Sequence, residues 1–577
     1  MTNHASDTYD CIVMGAGIAG VTAARDLQKQ GLRVLLLEGS DRVGGRMYSK
    51  RDFVRDRDGK PIPIEAGAEY VHVKGHRVFM PIEWERYKKF WDEIDGHGFC
   101  TSPFYKMGSL LPPGGPRNRV FFPVWKKTKP SIEAVLDGKV AQVGLLLYHL
   151  QAFNPAKEED MSARQYVNDE QKYEGLAKSL GEYTLTAHTP GRLDTISIAG
   201  FSADKIPDQL LEDAERRLEL PQKKGSSGKI CGYDSLPNKI LQEFRDRLGG
   251  TFKQSNKGKS NMKVVRVERS GDRMIKVTTQ GGETFLAHAA VCTFSVGMLD
   301  PLTGEGNVIF GPEKTLLTDE KRTALEIVKM GAITKFSLQF KERKWDEGGE
   351  KAGSWAGHMS VLSHPKGAAR TFFSTFPDRQ DGPHVLTALL MAQDHENIKN
   401  KSDAEAIQHL LDVLQAVYDP AGPQWTPERV MVMKRDGAGK LTPNYLRQDW
   451  ARDAFAKGGN SFLRFIPKAE RERKNITMKV TQAREALKNP RKTLPLFWAG
   501  EATAPAYDPG YQPLSVHGAY ISGVGVAEDV HFYLKECKKD AERFRAYYKT
   551  KYIDRKEAKD PVLEQFDQYK ETILHGE

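Results

Sequence analysis

Apolar and polar residues change their period repeatedly along this chain, and the changes mark out its elements. Cys11-Ile12-Val13-Met14 is a short apolar run, Val21–Gln30 reads as a helix, and Val34–Leu37 is a second apolar run that stops at Glu38. Short apolar runs flanking a helical stretch predict strand, helix and strand. Farther on, Ile62–Ile64 predicts a strand, Lys263–Glu268 and Met274–Thr279 alternate as paired strands, and Phe285–Cys292 is apolar again. Ala332–Phe340, Trp355, Thr371–Phe376 and Val385–Ala392 predict a second sheet, and Leu494–Thr503 contains a buried strand that ends on Gly500-Glu501. Helical spacing covers Ile132–Phe153, where Val135, Val143, Leu146 and Leu150 share a side, then Arg164–Thr186, Pro207–Leu220, Asn238–Leu248 and Asp403–Tyr418. Tyr511–Gly523 opens a helix of small residues, and Lys535–Glu577 mixes both charge signs in a way that predicts a solvated helical tail.

The order of these elements predicts an α/β protein, with a Rossmann-like dinucleotide domain interleaved with an α+β substrate domain and a helical insert. At 577 residues the chain exceeds what one core supports, so several domains are expected. The expected boundaries are 1–75, 225–300 and 485–535 for the cofactor domain, 76–130 and 301–484 for the substrate domain, 131–224 for the helical insert and 536–577 for the tail.

Charge and cysteine usage narrow the classes. Lys and Arg total 86 against 76 Asp and Glu, a net +10 spread over the chain without an aromatic-interleaved basic motif, so no nucleic-acid partner is expected. The five cysteines are widely spaced and form no CxxC pair, which argues against a disulfide framework or a metal site. Nowhere do about 18 apolar residues run together, and Met1–Asp7 has neither a basic nor an apolar signal region. A soluble, cytoplasmic protein without a membrane partner is the expectation for the chain as given; a removed leader would leave no trace.

The chemistry begins in the turn Gly15-Ala16-Gly17-Ile18-Ala19-Gly20. Gly15 permits the tight turn, Gly17 lets backbone approach a pyrophosphate, Gly20 lets helix pack on strand, and Glu38 stands where an acid accepts from ribose hydroxyls. The following Asp41-Arg42-Val43-Gly44-Gly45-Arg46 adds a glycine pair between two arginines, able to close on phosphate or ribose oxygens. Lys335 is chemically odd, because it lies in Ile333-Thr334-Lys335-Phe336-Ser337-Leu338 and a buried ammonium needs a partner. From alternation alone, an edge-strand lysine pointing to water is the favoured reading.

The glycine fingerprint, Glu38, Asp41–Arg46 and then Glu65-Ala66-Gly67-Ala68-Glu69-Tyr70-Val71-His72 follow the opening order of the flavin amine oxidases, which the chain resembles from Cys11 to Val530. The resemblance implies FAD, with Arg42, Gly44, Gly45 and Arg46 near its phosphates, Gly67, Ala68, Glu69 and Tyr70 beside its ring, and the Val265 backbone at the adenine. It further implies Gly500 and Glu501 at the ribityl-phosphate, Leu514, Ser515 and Val516 against the ring, and Lys335 bridged through water to the flavin as the catalytic group. No cysteine lies shortly before Gly500, so non-covalent FAD is expected.

The implied chemistry is oxidation of an amine to an imine, with oxygen as acceptor, hydrogen peroxide as product and hydrolysis of the imine. An L-amino acid is the first expectation for the substrate, with a polyamine or monoamine as the alternative and a desaturase or isomerase as the second. Many L-amino acid oxidases carry a carboxylate-binding arginine just after the position of Gly67-Ala68; this chain has Glu69-Tyr70-Val71-His72 there, with Arg77 the nearest arginine. Candidate substrate contacts are Tyr70, His72, Arg77, Trp355, Arg370, Tyr511 and His517, with Arg447 as a further carboxylate candidate. A homodimer or higher homo-oligomer is left open.

Overall fold

The computed structural model describes residues 8–71, 84–103, 119–121, 159–170, 178, 181–182, 185–186, 189–204, 215–220, 229–271, 273–300, 308–312, 315–343, 355–360, 371–375, 383–419, 421–503 and 513–553. The apolar runs at the start become the centre of an eight-stranded sheet. Tyr9–Met14 pairs in parallel with Val34–Glu38 on one side and Thr284–Cys292 on the other; Thr251–Gln254 and Leu496–Trp498 extend the parallel part outward. Strands covered on both faces have no solvated side, which is why Ile12, Val13, Leu35 and Leu36 are all buried without alternation. The expected pair at residues 263–279 is present as Val264–Ser270 against Met274–Thr279.

Two helices lie against this sheet and against each other. Ile18–Lys29 follows the glycine turn, and Val516–His531 crosses it closely. A Cβ on Gly523 would stand 2.4 Å from the Ala19 carbonyl oxygen, so the small-residue composition of the second helix is a packing requirement.

The second sheet has six strands, ordered Tyr445–Asp449, Ile333–Phe340, His384–Met391, Thr371–Ser374, Trp355–Ser360 and Arg119–Phe121. Helix Asp403–Tyr418 covers one face, setting Ile407, Leu410 and Leu414 with Phe336, Leu338 and Phe340 in one cluster. Ile333–Phe340 is paired on both sides, so Lys335 does not sit on an edge strand.

Two expectations are corrected. The helical reading of Pro207–Leu220 fails over its described part, because Glu215–Leu220 is a strand that pairs with Tyr70–Val71, Cys100–Pro103 and Lys229–Ile230. Two of these strands, Tyr70–Val71 and Cys100–Pro103, are distant in sequence and supply hydrogen-bond partners that local spacing does not register. The tail is helical over Ala541–Tyr548 and Lys549–Ile553, and this described part is docked rather than solvated, while 554–577 lie outside the described residues. Phe544, Tyr548 and Tyr552, one face of the helical repeat, are buried in the core with Phe497 and Tyr533. The stretch 132–153 lies outside the described residues.

The docked tail makes a stability prediction. The Tyr552 hydroxyl lies 3.1 Å from both carboxylate oxygens of buried Asp529. Tyr552→Phe is expected to cost about 1.5–3 kcal/mol, as for a hydrogen bond to a charged group. A lower urea midpoint with an unchanged flavin spectrum checks it.

Candidate functional site

The glycine turn leaves the C-terminal end of Tyr9–Met14, the edge at which parallel sheets bind ligands. Gly15 has φ of +102°, a region closed to most side chains, and a Cβ on Gly20 would fall 1.8 Å from the Gly15 carbonyl oxygen. Gly17 differs, since a Cβ there meets nothing within 4 Å. As N-cap of Ile18–Lys29 it carries no side-chain cap, which leaves first-turn amides available to an anion. The second glycine pair lies on this turn: Gly44 N–H donates to the Ala16 carbonyl at 2.9 Å, and Gly17 and Gly44 form a bridge. Space in front of Gly17, first-turn amides without a side-chain cap and a glycine pair at φ of +102° and +58° fit a diphosphate.

Glu38 is set by the same turn. One carboxylate oxygen accepts from Ala16 N–H at 2.7 Å, and the other from the Ser40 N–H and hydroxyl at 2.8 Å each. Burial pushes this carboxyl above its ordinary range against those hydrogen bonds. Arg42 holds the loop from within, donating to the Gly45 carbonyl and lying 4.1 Å over the Tyr48 ring. Val265 sits at a register shift between Val264 and Arg266, which takes its backbone out of the ladder and suits it to accept an outside partner.

Arg46 reaches the other half of the site. Its guanidinium donates to the Gly459 carbonyl and to Glu501, both at 2.7 Å. The Ser461 hydroxyl donates to Glu501 at 2.7 Å and the Leu514 amide reaches it at 3.3 Å, with Leu514 at φ of +69°. Arg484 stands behind Ser461, donating to its oxygen at 2.8 Å and forming a two-pronged pair with Asp204 at 2.8 Å on each prong. Burial pushes the Glu501 carboxyl upward, but Arg46 and Arg484 outweigh it and hold the group below its usual range. Sequence reasoning missed Arg484 and Asp204; a lone arginine among polar neighbours carried no signal.

The turn after Ile62–Ile64 closes on this edge. Gly67 N–H donates to the Tyr48 carbonyl, Ala68 N–H to the Arg46 carbonyl and the Trp450 indole to the Ala66 carbonyl. A Cβ on Gly67 would lie 1.9 Å from the Arg46 carbonyl oxygen, so only glycine lets the two loops touch. Lys335 arrives from the second sheet, its ammonium 2.8 Å from the Gly67 carbonyl, 3.2 Å from the Glu65 carbonyl and 2.9 Å from Glu69 Oε2. The partner that a buried ammonium requires is therefore Glu69.

Tyr70 lies edge-on to Phe373, and Phe373 faces the Lys335 ammonium at 5.3 Å. Ser515 caps helix Val516–His531, its hydroxyl accepting from Gly518 N–H, and His517 is buried beside Ser515 and Phe90. Arg447 does not join this group. It pairs with Asp403 at 2.6 Å and lies over Phe336, on the helix-covered face of the sheet opposite Lys335. His72, Arg77, Arg370, Tyr511 and the Trp355 side chain lie outside the described residues.

The model of a family described as flavin containing amine oxidoreductase matches residues 18–531. The chain is 24% identical over 534 residues to lysine-specific histone demethylase 1 homolog 2 of Oryza sativa subsp. japonica, covering 90% of this chain and 56% of that one. It is 24% identical over 535 residues to polyamine oxidase 2 of Arabidopsis thaliana, covering 90% and 87%. Lysine-specific histone demethylase 1 homolog 3 of Arabidopsis thaliana is matched at 23% identity over 90% of this chain and 30% of its own length, so the chain spans about half or less of these demethylases. Cyclohexylamine oxidase from Brevibacterium oxydans IH-35A superposes with a TM-score of 0.61 at 15% identity, over 91% of this chain and 100% of that one. Putrescine oxidase bound to putrescine gives 0.61 at 14% identity, over 91% and 99%. At such identities the solved structures speak for the fold.

Proposed function

The chain belongs to the flavin-containing amine oxidoreductases, and from that premise we propose that it oxidises a polyamine or a simple amine, with FAD as cofactor and oxygen as acceptor. The observation that carries the choice of substrate is the Glu69 carboxylate in the Glu65–Tyr70 turn, 2.9 Å from Lys335 and buried with it. An amino-acid substrate needs an uncommitted cation there for its carboxylate, and the cation present, Lys335, is already engaged by Glu69 and two backbone carbonyls. Among the described residues, Arg46 is paired with Glu501, Arg51 with Asp234 and Arg447 with Asp403. The relatives named for their substrates act on amines, and they give the amino-acid expectation no support.

Bound FAD would supply the two-electron acceptor. The chain's own residues would supply the rest. Gly15–Gly20, Gly44 and Gly45 present backbone to the diphosphate, Glu38 accepts from ribose, Arg46 and Glu501 close the far side, and the Gly67 turn sets Lys335 as a fixed positive charge on the inner edge of the site.

The test is anaerobic mixing of the FAD-loaded protein with putrescine, spermidine, cyclohexylamine and a set of L-amino acids, following the oxidised flavin band. Bleaching by an amine and by no amino acid is the expected result; bleaching by amino acids alone would restore the other reading. Lys335→Met is expected to keep FAD while lowering turnover about 10²–10³-fold, the scale of removing one preorganised charge partner, as read by peroxide release.

A further inference from the structure

Lys335 meets three acceptors, and one of them carries charge. An ammonium has three N–H bonds. Those of Lys335 go to the Gly67 and Glu65 carbonyls and to Glu69 Oε2. The two carbonyls belong to backbone that Tyr48 and Trp450 already fix. Glu69 contributes a side chain, which can be exchanged without moving that backbone. The Lys335 and Glu69 side chains are 8% and 3% exposed, so water does little to screen their attraction.

From this geometry, and resting on the place of Lys335 in the site proposed above, we infer that Glu69 is a positioning residue: its carboxylate keeps Lys335 protonated and turned into the Glu65–Gly67 backbone. Lys335 then works as a fixed cation and does not accept a proton during turnover. Among the described residues the surroundings leave this task to Glu69. Across the sheet the register partners of Lys335 are Leu389 and Gln448, which carry no charge. The Glu65 carboxyl turns away to the Ser49 hydroxyl at 2.7 Å and the Tyr233 amide at 2.9 Å, and burial, with Glu69 and Asp234 adding to it, pushes it up to about 7. Arg51 and Asp234 form a pair beyond Ser49, Arg46 is bound to Glu501, and Tyr70 turns to Phe373. Arg447 and Asp449 lie at register positions on either side of Gln448, away from the Lys335 face.

The experiment uses FAD-loaded protein and five variants, Glu69→Gln, Glu69→Asp, Lys335→Met, Lys335→Arg and the double variant Glu69→Gln/Lys335→Met. The first readout needs no turnover: the absorbance of bound flavin is titrated between about pH 6 and pH 10, where an amine deprived of its counter-ion loses its proton. A spectral step is expected in Glu69→Gln and in neither the wild type, Glu69→Asp nor the double variant. A flat titration of Glu69→Gln, or a step that survives in the double variant, overturns the inference.

The second readout is the rate of anaerobic flavin reduction by the amine that bleaches the wild type. Above the step, Glu69→Gln should fall toward the Lys335→Met rate, and the double variant should be no slower than Lys335→Met, because Glu69 acts through Lys335. Losses that multiply in the double variant would assign Glu69 a separate structural role. Lys335→Arg cannot accept a proton and should stay within about tenfold of wild type, whereas a proton-accepting lysine would make it as slow as Lys335→Met. Lys335→Arg also decides the matter if Glu69→Gln fails to hold FAD. If no amine bleaches the wild type, the amine reading falls while the spectral titration still judges Glu69.

Discussion

Gly20→Ala is expected to emerge from purification colourless. Its Cβ would lie 1.8 Å from the Gly15 carbonyl oxygen, well inside contact distance, and that carbonyl cannot retreat cheaply. Gly15 N–H is bound to the Leu37 carbonyl at 2.7 Å, and Thr293 bridges the Met14 and Gly15 carbonyls from behind at 2.8 and 3.3 Å. Either the helix start or the turn must move, and both form the diphosphate cradle. Overpacking against fixed backbone at more than about 3 kcal/mol corresponds to a loss of over a hundredfold in FAD affinity, measurable by quenching of FAD fluorescence on titration with apoprotein. Gly17→Ala is the matched control. Its Cβ meets no protein atom within 4 Å and its φ of −70° suits alanine, so the apoprotein should melt as wild type does while FAD affinity falls. A Gly17→Ala protein that binds FAD normally would place the diphosphate elsewhere.

Arg484→Leu should be strongly destabilising. Arg484 is 1% exposed and its two-pronged partner Asp204 is 3% exposed, so losing the guanidinium strands a carboxylate in the interior. Breaking one side of such a pair costs about 3–5 kcal/mol, and a urea denaturation curve reads it directly. Replacing Asp204 by leucine as well should recover much of the loss, because an apolar pair requires no counter-charge. The pH dependence follows from Glu501. Its folded carboxyl is held low by Arg46 and Arg484 against burial, so it favours the folded state above the ordinary carboxyl range and loses that contribution as pH falls through the folded value. With Arg484 gone, acid unfolding should begin at a higher pH than in the wild type. An unchanged acid midpoint would show that Arg46 alone holds Glu501.

The parts of this protein written in local spacing could be read before any fold was known. Gly15, Gly17, Gly20 and Glu38 stand at distances that only a strand, turn and helix satisfy, and the structure puts them there. Lys335 was legible for a different reason: a charge inside an apolar run is costly unless met, and Glu69 meets it. Pairings between distant segments left no such trace. Asp204 and Arg484 are 280 residues apart, and neither has a neighbour that betrays the other. Glu215–Leu220 is rich in charge and helix formers, and it becomes a strand because neighbours from residues 70–71 and 100–103 offer it a ladder. In the tail, Phe544, Tyr548 and Tyr552 do lie at helical spacing, but the surrounding charges mask a stripe that the core takes up.

The parallel strand order has a consequence for biosynthesis. Thr284–Cys292 receives Tyr9–Met14 on one side and Met274–Thr279 along the start of the other, but the partner of its end, Ala290–Cys292, is Leu496–Trp498, which leaves the ribosome roughly two hundred residues later, about 10–40 s at ordinary elongation rates. Until then the nascent chain has its glycine turn but neither the closing strand nor Glu501 to meet Arg46. Cofactor loading is thereby deferred until Leu496–Trp498 and Glu501 have emerged, and a product cut short before them would carry the fingerprint without being able to retain the flavin.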